Sequence, residues 1–216
     1  MFVGHLAAAL GAKTVAREAP LPLLIGASFG IDILWPVLLL VGAETVVVDP
    51  GNTAFTALDF AWYPWSHSLL MVVVWGVLLA GVVRMAGGSR RVASVSALVL
   101  VSHWVLDWIT HGPDLPLWPG GVETGLGLWH SVPGTLAVEG LLLVAALVVF
   151  FRVVDVPGRQ GHLALWSLVG LCVLIWASQP FSPPPPGTTA IAVVGLSMWL
   201  LPLWGWWIER NVTVRA

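Results

Sequence analysis

Charge is what this chain has least of. Asp, Glu, Lys and Arg make up 9% of 216 residues, and the chain carries a single Lys, Lys13. A soluble domain carries roughly 25% charged residues. A net charge of −2 offers no basic footprint for nucleic acid. One cysteine, Cys172, excludes an intramolecular disulfide, and its apolar neighbours assign it to packing. No basic segment precedes the first apolar stretch, and His5 interrupts it, so no cleavable signal peptide is expected.

What is present is apolar surface. Hydrophobic residues reach 58%, with fourteen Trp against one Tyr, and mean hydropathy is +0.91. This composition indicates an integral membrane protein with interfacial Trp. Residues 1–17 are too short to cross a bilayer, which takes about 20 residues, and read as an amphipathic or re-entrant helix. Six spans follow, at 21–42, 66–84, 92–111, 131–151, 163–179 and 189–208. The expected fold is an all-α, polytopic helix bundle of about six transmembrane helices with a short N-terminal helix. It forms one domain, 1–216, with a metal-site core over 1–151 and two C-terminal spans in 152–216.

Lys13/Arg17, Arg84/Arg90/Arg91, Arg152/Arg159 and Arg210/Arg215 fall in alternate connections. The positive-inside rule then puts both termini in the cytoplasm.

Polar residues inside the spans are few. His103, Asp107 and His111 recur at intervals of four, which stacks them on one helix face. Imidazole and carboxylate on successive turns make a transition-metal chelate, and an ionisable group at bilayer depth marks function. The competing reading is a His–Asp hydrogen bond that ties two helices together. Asp32 lies about 18 Å along the first span, and Glu139 roughly 13 Å below His130. With His67, His130 and a rising His5, these groups converge in the outer half of the bundle. His67 and His130 also suit ordinary interfacial residues, and Glu139 a helix–helix hydrogen bond. His162, Asp114 and Glu123 are expected to lie in solvated connections.

Met1-Phe2-Val3-Gly4-His5, Gly26 to Asp32, Ser66-His67-Ser68, and Ser102-His103-Trp104-Val105-Leu106-Asp107 with Thr110, Gly112 and Leu117-Trp118-Pro119 share one pattern. Over residues 1–120 it resembles the membrane-bound metal-dependent hydrolase family, which includes bacterial inner-membrane proteins described as LexA-binding. The order is also similar to the zinc-dependent phospholipase C and single-strand nuclease superfamily. The resemblance implies that Asp32, His67, His103 and Asp107 hold one divalent metal, of which zinc is the expected one. It implies that His5 helps hold a second, with Asp107 bridging. His111, His130 and Glu139 would supply a further metal or the general base or acid. Two departures stand out: Trp62 to Ser66 replace the family's His-Arg-Gly element, and Gly30 to Leu34 keep only the first Asp of its Pro-Asp-x-Asp.

The expected activity is metal-dependent hydrolysis of an ester or phosphoester in a lipid or lipid-linked substrate. The alternatives are a proton- or metal-coupled transporter, and a haem protein ligated by paired histidines.

Overall fold

The computed structural model describes residues 1–215. The helices are α1 (Val3–Val15), α2 (Leu21–Ser28), α3 (Gly30–Leu40), α4 (Pro64–His67), α5 (Leu69–Met85), α6 (Arg90–Thr110), α7 (Val132–Val153), α8 (Gly158–Ser178), α9 (Thr188–Gly195) and α10 (Leu200–Glu209). Three two-stranded antiparallel ribbons fill the connections: β1 (Thr45–Val48) with β2 (Leu58–Trp62), β3 (Leu115–Pro116) with β4 (Glu123–Thr124), and β5 (Val154–Asp155) with β6 (Thr213–Val214). The chain is an all-α bundle. Among the described residues, four stretches are long and apolar enough to cross a membrane: Arg90–Thr110, Val132–Val153, Gly158–Phe181 and Thr188–Glu209. The pair α2 and α3 forms a fifth if its 53° bend lies within one span. Helix α5, at 17 residues, reaches the lower limit of a crossing. Apolar side chains face outward on these helices, among them Val77, Leu78 and Val82 of α5 and Leu141, Val144 and Val148 of α7.

Local sequence sets the boundaries. Ser68, Ser89 and Ser131 cap α5, α6 and α7 by accepting hydrogen bonds from the amides of Met71, Val92 and Gly134. Helix α6 stops at His111, an extended residue two before Pro113. The first expected span is broken at Phe29, where the chain turns between α2 and α3. The second span starts three residues later than expected, because Ser68 is extended and separates α4 from α5.

Helix α1 does not lie on a surface as an amphipathic helix would. Nine of its thirteen residues are buried, and it packs among α2, α6 and α7. Small residues Ala7, Ala9 and Ala12 let its neighbours approach, as small residues do between membrane helices. Lys13 is buried with it. Its Nζ donates to the Ala19 carbonyl at 2.7 Å and to Glu209 at 3.1 Å, and Glu209 also accepts from the Leu21 amide at 2.8 Å. Lys13, by sequence part of a basic connection, is thus a pin joining α1, α2 and α10.

All four Arg-bearing connections meet at one end of the bundle. Arg17 donates to the Arg215 carbonyl, Ser89 to Glu18, and Arg215 to Asp155. Those bonds from Arg215 hold the exposed Asp155 carboxyl below its ordinary range. The other connections meet at the opposite end. There Phe55 donates its amide to the Trp129 carbonyl, Leu70 to Leu117, and the Thr188 hydroxyl to Val46. The stretch 43–65, between the first two expected spans, contains the β1–β2 hairpin that closes this end.

The C-terminal spans pack onto the broken helix pair, α9 against α3 and α10 against α2. A Cβ on Gly195 would sit 2.6 Å from Cγ of Pro36, and one on Gly205 would sit 3.1 Å from Cα of Pro22. Neither proline ring can swing aside. Gly195→Leu should therefore lower stability by about 1–3 kcal/mol. Thermal unfolding of the purified protein in detergent, compared with Val193→Leu on the exposed face, checks this.

Candidate metal centre

The centre begins with the break between α2 and α3. In an unbroken helix the Ser28 carbonyl would accept from the amide four residues on. The turn at Phe29 frees it, and Nδ1 of His103 donates to it at 2.8 Å. That bond places the imidazole proton on Nδ1 and leaves a lone pair on Nε2. The same turn opens α3, so Asp32 stands in the first turn of a helix, where a carboxylate is favoured.

Nε2 of His103 lies 3.0 Å from Oδ2 of Asp107 and 3.6 Å from Oδ1 of Asp32. Nε2 of His67 lies 3.5 Å from Oδ1 of Asp32 and 3.9 Å from Oδ2 of Asp107. Zinc bonds of about 2.0–2.1 Å at tetrahedral angles set ligand atoms about 3.3 Å apart. These four separations bracket that value. His103 Nε2, wholly buried, has no hydrogen-bond partner and faces two carboxylates with its lone pair. Acceptors turned toward one another are repulsive unless a cation lies between them. The donor set of two imidazoles and two carboxylates suits a divalent transition metal.

Each ligand is held from behind, as metal ligands usually are. Nδ1 of His67 is 2.7 Å from the Ser66 hydroxyl. Ser66 in turn gives its hydroxyl and its amide to the two oxygens of Glu44, at 2.7 and 2.8 Å. Glu44 is buried behind the site and links it to the turn before β1.

Oδ1 of Asp107 looks the other way. It takes the Met1 amino group at 2.5 Å and Nε2 of His5 at 3.1 Å. His5 stacks on His103 with ring centroids 3.8 Å apart and planes 3° from parallel. Among the described residues, two groups of candidate ligands converge here, His5/His103/Asp107 and Asp32/His67/His103. Together they contain all five residues expected to bind metal. Face-to-face packing of His5 on His103 leaves no gap for a porphyrin plane between them.

Of the three residues expected to handle protons, the structure brings two to the centre. Glu139 and His111 line a 120 Å³ cavity together with Met1, Asp32, His67 and Asp107. Glu139 Oε2 accepts the amides of Phe2 and Gly4 at 2.8 and 3.3 Å, while Oε1 is buried without a partner. His111 Nδ1 lies 3.2 Å from Oδ1 of Asp114 and 3.3 Å from the Tyr63 hydroxyl. Burial, and after it the negative charge of Asp114, raises the Tyr63 phenol well above its ordinary value, so it remains a neutral donor.

His130 is not brought to the cavity. It is exposed on a 3-10 turn against Gly127, and its neighbour Trp129 points inward instead. On such a turn adjacent side chains diverge, and no periodicity marks which of them is inside. Asp114, expected to be merely solvated, orients His111. Sequence reasoning also missed Glu44, Trp35 and Trp129. Trp35 and Trp129 were hidden among fourteen tryptophans, and Glu44 in an acidic connection.

Purified without chelator, the protein should hold zinc or another dication, and His103→Ala with Asp107→Ala should hold little. His130→Ala should retain wild-type content, as measured by atomic absorption. Imidazole and carboxylate ligands must be deprotonated to bind. Metal content should therefore be full near pH 8 and fall as pH drops below about 6, where histidine ordinarily gains its proton.

Compared with family models, with curated proteins and with solved structures, the chain has no match.

Proposed function

We propose that this protein is a membrane-embedded, metal-dependent hydrolase. The observation that supports the reading best is His103: its Nδ1 is fixed by Ser28, and its unpartnered Nε2 is turned toward Asp32 and Asp107. A dication held by Asp32, His67, His103 and Asp107 would supply Lewis acidity and acidify a bound water. On the far side of Asp107, His5 Nε2 lies 3.1 Å from Oδ1.

The remaining residues divide the proton work. Glu139 is anchored through Oε2 to two backbone amides, and its side chain lines the cavity. Its carboxylate is assigned the role of general base toward an attacking water. His111, held by Asp114 and Tyr63, is placed to return one to the leaving group. Apolar Trp35, Phe55 and Phe60 line the same cavity and limit the entry of other water.

The substrate class follows from setting. The centre is enclosed by helices with apolar outer faces, which favours an ester or phosphoester in a lipid or lipid-linked molecule. The Arg-bearing end faces the cytoplasm by the positive-inside rule, with both termini there and the site toward the outer half. Zinc is the expected ion for this ligand set.

The resemblance of residues 1–120 to membrane-bound metal-dependent hydrolases points the same way. Metal transport is the competing reading, since buried His and Asp also build ion pathways. Hydrolysis of a chromogenic phosphodiester or ester by the zinc-loaded protein separates the two. Glu139→Gln should keep its metal and lose about 10²–10⁴-fold in rate. Zinc uptake into proteoliposomes without hydrolysis would reverse the assignment.

A further inference from the structure

The two histidines of the metal centre are oriented by partners of different kinds. Nδ1 of His103 meets a backbone carbonyl, which only accepts, so its proton is fixed there. Nδ1 of His67 meets the Ser66 hydroxyl at 2.7 Å. A hydroxyl both donates and accepts, so Ser66 by itself leaves the His67 proton free to sit on either ring nitrogen. Only a proton on Nδ1 leaves the Nε2 lone pair for a metal.

The choice passes to the next group along. Ser66 Oγ has one proton to give. Oε2 of Glu44 lies 2.7 Å away, while the Tyr63 carbonyl, at 3.4 Å, is beyond the ordinary O–H···O range. A carboxylate only accepts, so the Ser66 proton goes to Glu44, and Ser66 Oγ then accepts from Nδ1 of His67. Glu44 is itself held in place. Its Oε1 accepts the Ser66 amide at 2.8 Å, its backbone amide donates to the Leu38 carbonyl of α3 at 3.3 Å, and its side chain is buried. Helix α3 also carries Asp32.

Resting on the metal-centre reading, we propose that Glu44 is a positioning residue: through Ser66 it sets the tautomer of His67 and keeps the Nε2 lone pair turned to the metal position beside Asp32 and Asp107. Glu44→Gln reverses this chain. The Ser66 amide still requires an acceptor, so the new carbonyl takes the place of Oε1 and the new NH2 group that of Oε2. That NH2 donates to Ser66 Oγ, whose proton turns to Nδ1 of His67. The imidazole proton is then left on Nε2, where the metal should bind. Shape is kept and only the direction of the chain is lost.

The test is zinc affinity, measured on the full-length protein in detergent by competition with a chromogenic chelator, at a fixed pH where histidine is neutral. Glu44→Gln should weaken zinc binding about 10–100-fold, as loss of an outer partner of a metal ligand does. Ser66→Ala removes the chain but keeps the backbone amide that anchors residue 44. In that background, adding Glu44→Gln should change the affinity less than about twofold, because no direction remains to reverse. The same loss in both backgrounds marks a structural or through-space role and overturns the proposal; so does unchanged affinity in Glu44→Gln. Histidine-nitrogen NMR of the zinc-free parent needs no change at residue 44. The His67 signal, identified by its loss in His67→Asn, should carry its proton on Nδ1, and a proton on Nε2 overturns the proposal. A parent that binds no zinc sinks the metal centre and this role with it, whereas zinc bound without dependence on Glu44 leaves the centre standing.

Discussion

Everything at the heart of this protein depends on keeping the Asp107 carboxylate charged inside an apolar bundle. An isolated carboxylate there would be prohibitively unstable. Its two oxygens are served from opposite sides. Oδ1 meets the Met1 amino group and His5, while Oδ2 meets His103 and, farther away, His67. Removing one partner of such a cluster leaves the others uncompensated, which is why buried ionic groups persist as sets. The arrangement requires α1 to be threaded into the middle of the bundle, since only there can both Met1 and His5 reach α6.

The bundle is built around interruptions in its helices. The turn at Phe29 yields both a free carbonyl for His103 and a helix start for Asp32. The extended Ser68 does the same for the second span. It ends α4 at His67, and its hydroxyl caps α5. Non-helical backbone at membrane depth is tolerated where protein covers it. Here α9 and α10 provide that cover, with Gly195 and Gly205 against the Pro36 and Pro22 segments. The C-terminal spans, separate from the metal-site core by sequence, also contribute Gln179 and Met198 to the cavity wall.

The two ends of the bundle differ in chemistry. At one, the Arg-rich connections cross-link one another and Lys13 pins α1 to Glu209. At the other, the β1–β2 hairpin, the 112–130 connection and the proline-rich turn enclose the approach to the cavity. Gly125 and Gly127 show how closely that end is packed. A Cβ on Gly125 would fall 1.8 Å from the Gly112 carbonyl oxygen, and Gly127 takes φ of +73°, where its amide meets the His111 carbonyl. These contacts fix the chain just where His111 turns toward the cavity.

The sequence by itself determined the helical class, the positions of the long apolar stretches and the sorting of Arg residues. Each depends on composition and on spacing along the chain. Spacing also joined His103 to Asp107, because residues four apart share a helix face. Only the tertiary structure decided that Trp129, and not His130, looks inward, that Lys13 is buried against Glu209, and that Glu44 stands behind His67. Those outcomes turn on the direction of a side chain after a break or a tight turn. In spans apolar on every side no periodicity records that direction, and it is fixed only when neighbouring helices close around it.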